Sequence, residues 1–310
     1  MTFKEYLQNK ELSKTTVKHY NMFVLDFMSY LDKDNTEPEQ ATEKEIMGYL
    51  QTLQKQGVSN DTRKLRLYAL QHFFTYQIDN KRRIDNPVKR IKIKGLQKQK
   101  LYPILTQQEL QNLYQNYEVP TNEHPKSHHN WFKSYQLSKQ RNKVIISLLV
   151  YQGITTAEAQ RILIEDINLR NGTIDIRGGR IGKDRTLALK SHQIIDLMEY
   201  QYQTRTELLK YYKEPTKQLF LATPPAGKTE VTAHNTLEIW KRLTQELKEQ
   251  NPKFINCKQV RASVITHWLK QYNVREVQYR AGHKNIYSTE MYQINDIDDL
   301  QNEIDKYHPI

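Results

Sequence analysis

Residues 258–292 read KQVRASVITHWLKQYNVREVQYRAGHKNIYSTEMY, and the fold and chemistry of the chain are decided by how this stretch is read. Two helices are expected in it, over 258–271 and 274–280, with Gly282-His283 closing the second. Arg261 falls at the start of the first helix, an end that favours anions because its backbone N–H groups lack internal partners. His283 lies about twenty residues further on, and Tyr292 follows it by nine. A cation, an imidazole and a phenol thus recur around helix starts. Phosphoryl transfer through a covalent tyrosine needs that set: donors for the phosphate oxygens and a nucleophile that can hold the phosphoryl group. The chain has 20 tyrosines, so a Tyr near a His also arises by chance, and spacing alone leaves both readings open.

Upstream, residues 101–257 are mixed. Helices are expected over 106–117, 140–152, 194–212 and 233–250, and a last one over 297–307, from apolar residues at helical spacing. Thr173 to Ile176 and Arg185 to Leu189 alternate like strands around Gly178, Gly179 and Gly182, which predicts a β-hairpin. Residues 118–139 are polar with little periodicity and read as a surface insertion. Residues 1–80 carry apolar positions at helical spacing, among them Tyr20, Val24, Phe27, Leu31, Ile46, Leu50, Leu70, Phe73 and Phe74, broken at 32–38 and 57–60. This pattern predicts four short helices, with Ser13 and Ser59 available as caps.

Between these halves lie Lys81, Arg82, Arg83, Lys89, Arg90, Lys92, Lys94, Lys98 and Lys100 against one acid, Asp85. With Pro87 and Gly95 among them, residues 81–100 read as an extended basic interdomain linker. Phosphate contact is the preferred role, because cations that neutralise phosphates release counterions; a plain solvated linker is the alternative. The whole chain points the same way: 310 residues with 47 Lys+Arg against 35 Asp+Glu, a net charge of +12, favour a polyanionic partner, nucleic acid before anionic membrane. No apolar run approaches the roughly 20 residues that span a bilayer, and the N-terminus lacks a signal-peptide core. A single cysteine, Cys257, excludes an internal disulfide framework and a multi-Cys zinc site. The expectation is a soluble, cytoplasmic protein without cofactor or metal. His124, His128 and His129 cluster without a carboxylate or Cys at ligand spacing. Ala226-Gly227-Lys228-Thr229 resembles the end of a phosphate-binding loop but lacks the required earlier Gly, Ala222 standing there.

The chain resembles the tyrosine recombinases, also called phage-type integrases. The match runs through Arg261-Ala262-Ser263-Val264-Ile265-Thr266-His267-Trp268-Leu269, Val274-Arg275-Glu276-Val277-Gln278, Gly282-His283 and Tyr292. It extends to residues 13–20 and 57–74, similar to the family's helical core-binding domain, to Asn86-Pro87-Val88 in its linker, and to Leu105-Thr106-Gln107-Gln108-Glu109-Leu110 at the start of its catalytic domain. The resemblance implies a mainly α fold with a small β-hairpin or sheet: a SAM-like core-binding domain over 1–80 and an α+β catalytic domain over 101–310, closing as a C-shaped clamp on duplex DNA.

The family's active site has two arginines, a hairpin lysine, a histidine before the second arginine, a His or Trp, and the tyrosine. By position, Arg261 matches the second arginine, His283 the His/Trp and Tyr292 the nucleophile. The first arginine, in Gly-x-Arg-x-x-Glu, falls on Thr155 in Gly153-Ile154-Thr155-Thr156-Ala157-Glu158. Thr155 and Glu158 also fit a capping box. The hairpin lysine falls on Arg180 in Gly179-Arg180-Ile181-Gly182-Lys183-Asp184-Arg185; arginine does not readily give up a proton, so general-acid work would pass to Lys183 or to water. The histidine before the second arginine falls on Lys258. Lys258 is a candidate to restore the missing charge, whereas Arg161, six residues beyond Thr155, is expected on another helix face.

The resemblance further implies site-specific recombination or integration: Tyr292 forms a 3′-phosphotyrosyl link, and Arg261, His283, Lys258 and Arg180 stabilise the transferring phosphate. A homo- or hetero-tetramer on double-stranded DNA is implied, with residues 296–310 docking on a neighbour, and association with the nucleoid when DNA is bound. Because Thr155 replaces a guanidinium, a degenerate recombinase that binds a DNA sequence without cutting it is the alternative.

Overall fold

Hydroxyl and amide side chains punctuate the chain, and most of its helices start where they fall. In the computed structural model, which describes residues 1–95, 102–179, 182–224, 228 and 230–293, the chain forms two units, Met1–Lys100 and Leu101–Ile310. The first holds α1 (Phe3–Asn9), α2 (Lys14–Leu31), α3 (Glu43–Lys55) and α4 (Asn60–Asp79). Their caps are Thr2, Ser13, Thr42 and Ser59, each accepting a backbone N–H of the first turn. The apolar stripe of each helix faces inward, and Leu7, Phe27, Ile46, Leu70, Phe73 and Phe74 are fully buried.

The basic segment after α4 differs from a free linker. Val88 is buried in the helical core, with Ile91 and Ile93 packed against it, while Lys89, Arg90, Lys92 and Lys94 are exposed. Asn60 donates to the Lys94 and Gly95 carbonyls at 2.9 and 2.7 Å. The alternation Ile91-Lys92-Ile93-Lys94 therefore lays this stretch of chain along the helices, charges outward. Arg83 points the other way: its guanidinium donates to the carbonyls of Pro38 (3.1 Å) and Ala41 (2.7 Å), pairs with Asp85 and lies over the Phe74 ring. Those donors tie the chain at Pro38–Ala41 to this segment, which sets Arg83 apart from its exposed neighbours. Lys81 and Arg82 are exposed at the end of α4; Lys98 and Lys100 lie outside the described residues.

The second unit is mainly helical, with one small sheet. α5 (Gln107–Gln115) and α6 (Phe132–Gln152) come first; α6 starts eight residues before the expected 140, so the last eight residues of the expected insertion are helix. Phe132 and Leu137 bury its early turns, and Val144–Val150 is buried on every side, where α6 packs against α5, α8 (Ser191–Glu199) and α11 (Cys257–Gln271). A short α7 (Thr156–Ala159) leads to three antiparallel strands in the order β1-β2-β3: β1 (Ile167–Asn168), β2 (Thr173–Ile176) and β3 (Arg185–Ala188). The hairpin was expected; β1, two residues long, was not. Asp175 pairs with Thr186 and Ile176 with Arg185, which puts Ile174 and Ile176 in the core.

α8 continues through a π-turn at Tyr200–Thr204 into α9 (Arg205–Leu209). The buried Tyr200 hydroxyl donates to the Leu219 carbonyl at 2.9 Å. α10 (Ala233–Gln250), α11, α12 (Val274–Ala281) and α13 (Tyr287–Glu290) complete the unit. The helix expected over 297–307, Arg180 and most of 226–229 lie outside the described residues. Cys257 is buried, and burial pushes its thiol up to about 11. Among the described residues no group of three His, Cys, Asp or Glu could hold a metal, and no helix is long and apolar enough to cross a membrane.

Candidate active site

Two left-handed glycines aim the site. Gly153 (φ 57°) ends α6, and its carbonyl accepts from Arg261 Nη1 at 2.5 Å. A Cβ there would stand 3.0 Å from Val264 and 3.3 Å from Trp268 of α11, so glycine serves both the turn and the close helix approach. Gly282 (φ 69°) ends α12, where a Cβ would collide with the Arg185 guanidinium. The turn it makes delivers His283, whose N–H bonds the Gln278 carbonyl at 3.0 Å while the Gln278 side chain donates to the His283 carbonyl at 3.1 Å.

Arg261 projects from the first turns of α11, capped by Asn256, which accepts from Lys258 N and Gln259 N. Its guanidinium is held by the Gly153 carbonyl, by the Ala281 carbonyl at 2.7 Å, and by His283 Nε2 at 3.1 Å. A guanidinium only donates, so Nε2 accepts, and the ring proton sits on Nδ1, where it faces Thr289 Oγ1 at 2.9 Å. Burial first, then the charges of Arg261 and Arg185, hold His283 down to about 4, so the imidazole is neutral at pH 7. The Tyr292 ring lies parallel to it, centroids 5.9 Å apart at 8°, and its phenol is near enough to the Arg261 guanidinium to feel its charge. Ile265, Val277 and Ala281 form the apolar bed beneath Tyr292.

Thr155 does cap α7: its hydroxyl and N–H both bond Glu158 Oε2, at 3.0 and 2.8 Å. The same carboxylate takes Arg185 Nη1 at 2.6 Å and stands 3.7 Å from Arg261. Buried though Glu158 is, these donors, Arg185 foremost, hold it down to about 2. Arg185 is fully buried, donates also to the Arg280 carbonyl at 2.7 Å, and leaves Nη2 without a hydrogen-bond partner among the described residues. The Arg185–Glu158 pair thus ties β3, the second strand of the hairpin, to α7 and to the floor below Gly282. A buried pair of this kind is expensive to break from one side, about 3–5 kcal/mol.

The structure brings together Arg261, His283 and Tyr292, with Thr155 alongside through Glu158. Lys258 is exposed one turn before Arg261 on the same helix, and the Lys183 side chain is exposed as well, while the Lys183 N–H bonds the Gly282 carbonyl at 2.9 Å. The hairpin nonetheless docks here, because Gly182 forms an antiparallel bridge with His283. Arg161, expected on another face of the helix that carries Thr155, is not on that helix. α7 ends at Ala159, and the Arg161 guanidinium rests on Gly179, 3.3 Å from where a Cβ would sit. Sequence reasoning passed over Arg185 and Thr289; Arg185 stood in the hairpin pattern as its last residue, whereas Thr289 gave no signal.

Residues 103–297 match the phage integrase family model, and residues 1–81 match that of the phage integrase N-terminal SAM-like domain. The chain is 26% identical to tyrosine recombinase XerA of Pyrococcus furiosus over 294 residues, covering 94% of this chain and 87% of that one. It is 26% identical to tyrosine recombinase XerC of Oceanobacillus iheyensis over 314 residues, covering 99% and 95%. Among solved structures it resembles the XerH recombinase on a palindromic difH substrate after cleavage, at TM-score 0.64 and 22% identity over 94% of this chain and 79% of that one. It also resembles a lambda integrase tetramer on a Holliday junction, at TM-score 0.62 and 16% identity over 94% and 74%. Those two likenesses concern the fold.

Proposed function

The chain belongs to the phage integrase family of tyrosine recombinases, and from that premise we propose that Tyr292 is the nucleophile through which it breaks and rejoins DNA. It is a site-specific recombinase acting on double-stranded DNA. The Tyr292 oxygen attacks the scissile phosphorus and forms a 3′-phosphotyrosyl ester; the 5′-oxygen leaves, takes up a proton, and later attacks the ester of the partner strand, returning the phenol. The ester keeps the energy of the broken diester, so the rejoining step runs without an outside energy source.

The observation that carries this reading is the convergence of Arg261, His283 and Tyr292 across 31 positions of sequence. Fixed donors aimed at the place where charge develops are the largest single source of such catalysis. Arg261 binds the phosphate, His283 hydrogen-bonds it, and Lys258 and Arg180 add charge, with Lys183 or water supplying the leaving group's proton. Residues 1–80 act as the core-binding domain and 101–310 as the catalytic domain, and the outward cations Lys81, Arg82, Lys89, Arg90, Lys92 and Lys94 contact backbone phosphates. Assembly as a tetramer of like or related subunits and a place in the cytoplasm, on nucleoid DNA, complete the proposal.

Trapping tests it. On flanking duplex DNA nicked near the cleavage position, the protein gives a covalent adduct on denaturing gels, and Tyr292→Phe abolishes the adduct while binding the same DNA equally well. Sequence-selective binding with no adduct would establish a non-cutting binder instead. Thr155→Arg raises adduct formation, on the order of 10²–10³-fold if the clamp lacks one donor, at a cost of about 0.5–2 kcal/mol from the lost cap; an unchanged rate means another cation already supplies that charge.

A further inference from the structure

We propose that Thr289 is a positioning residue that lets His283 change its tautomer when a phosphate enters the site. The inference rests on the recombinase reading of His283 and Tyr292, and on four contacts. The Thr289 hydroxyl faces His283 Nδ1 at 2.9 Å, and its residue is fully buried. Its carbonyl accepts the Tyr292 N–H at 3.0 Å, and its own N–H bonds the Ile286 carbonyl at 2.7 Å. One residue of the four-residue α13 therefore touches the histidine through its side chain and the nucleophile through its main chain, and sets the distance between them. The fourth contact is Arg261 Nη2 on His283 Nε2 at 3.1 Å.

Donor and acceptor capacities do the rest. In the free protein the guanidinium can only donate, so Nε2 accepts and the proton rides on Nδ1, donating to Thr289 Oγ1. A phosphate oxygen can only accept, so it draws off the guanidinium donor, and His283 becomes useful to it only with a proton on Nε2. That change removes one proton from Nδ1 and adds one to Nε2, exchanged with solvent, with no net charge change. Nδ1 is then an acceptor and needs a donor. A hydroxyl serves both states, accepting from Nδ1–H in the first and donating to Nδ1 in the second. Of the side chains of similar size, serine keeps that capacity and valine has neither half of it.

Two measurements on the full chain decide it. With ¹⁵N-labelled histidine, the His283 imidazole, assigned by its loss in His283→Gln, shows the Nδ1–H tautomer in the free protein; an Nε2–H tautomer there overturns the proposal, whether or not the protein cuts DNA. In the nicked-duplex trapping assay, Thr289→Val slows adduct formation roughly 10–100-fold, the scale of loss seen when the partner orienting a metal-bound histidine is removed. Thr289→Ser stays within a few-fold of the parent, and Thr289→Val adds no further loss in the His283→Gln background. Equal rates for the Val variant and the parent, or a full additional loss in the double variant, overturn it. Failure of the parent itself to form an adduct counts against the recombinase reading, and the tautomer measurement still decides the role of Thr289.

Discussion

At His283 burial first, and then the charge of Arg261, disfavour the imidazolium, and Arg261 also requires a lone pair on Nε2, so the ring stays neutral well below its ordinary range. A folded-state value near 4 against 6.5 unfolded means that, between those pH values, the unfolded chain takes up a proton the native protein refuses. The stability from neutral His283 is fully present above about pH 6.5 and is lost as pH falls through about 4. Melting temperature should therefore drop from pH 7 to 4.5 more steeply in the parent than in His283→Gln, as differential scanning calorimetry would show; parallel curves would mean that the histidine titrates normally.

Among the elements, the segment after α4 is where local reading and tertiary packing part. Its alternation of Lys with Ile resembles a solvated basic linker, but Val88 is buried and Arg83 is spent on the carbonyls of Pro38 and Ala41. Arg83→Ala should lower the stability of the N-terminal unit by about 1–3 kcal/mol, the cost of leaving the carbonyl of the buried Ala41 without this donor. Arg90→Ala, removing an exposed cation, should leave the urea midpoint unchanged. Arg83 looked like its neighbours because its partners lie 45 and 42 positions back in the chain. α6 began earlier than expected for a related reason: Phe132 and Leu137 alone mark the buried side of its first two turns, too few to show a period. α7 and β1 were too short for periodicity altogether, and only the Thr155–Glu158 capping box announced α7.

For the whole molecule, a net charge of +12 becomes functional through where the cations stand. Lys81, Arg82, Lys89, Arg90, Lys92 and Lys94 face solvent, and each that meets a phosphate adds about 0.9 to the slope of log affinity against log salt. Replacing Lys89, Arg90, Lys92 and Lys94 together by Ala should flatten that slope by up to about 3.6 and weaken all duplexes alike, measured by fluorescence anisotropy from about 50 to 300 mM salt. An unchanged slope would assign these side chains to solubility.

By itself the sequence carried most of the longer helices, the hairpin, the excess of positive charge and the choice of Arg261, His283 and Tyr292 as site candidates, because these depend on residue type and short-range spacing. Tertiary structure alone decided which cations are free and how the site is held. Arg185 reaches Glu158 across 27 positions and Thr289 turns its hydroxyl to His283 across six. Arg161 comes to rest on the hairpin glycine. A hydrogen bond or an ion pair requires a distance and a direction, and those exist only once the strands and helix ends that carry the partners have packed.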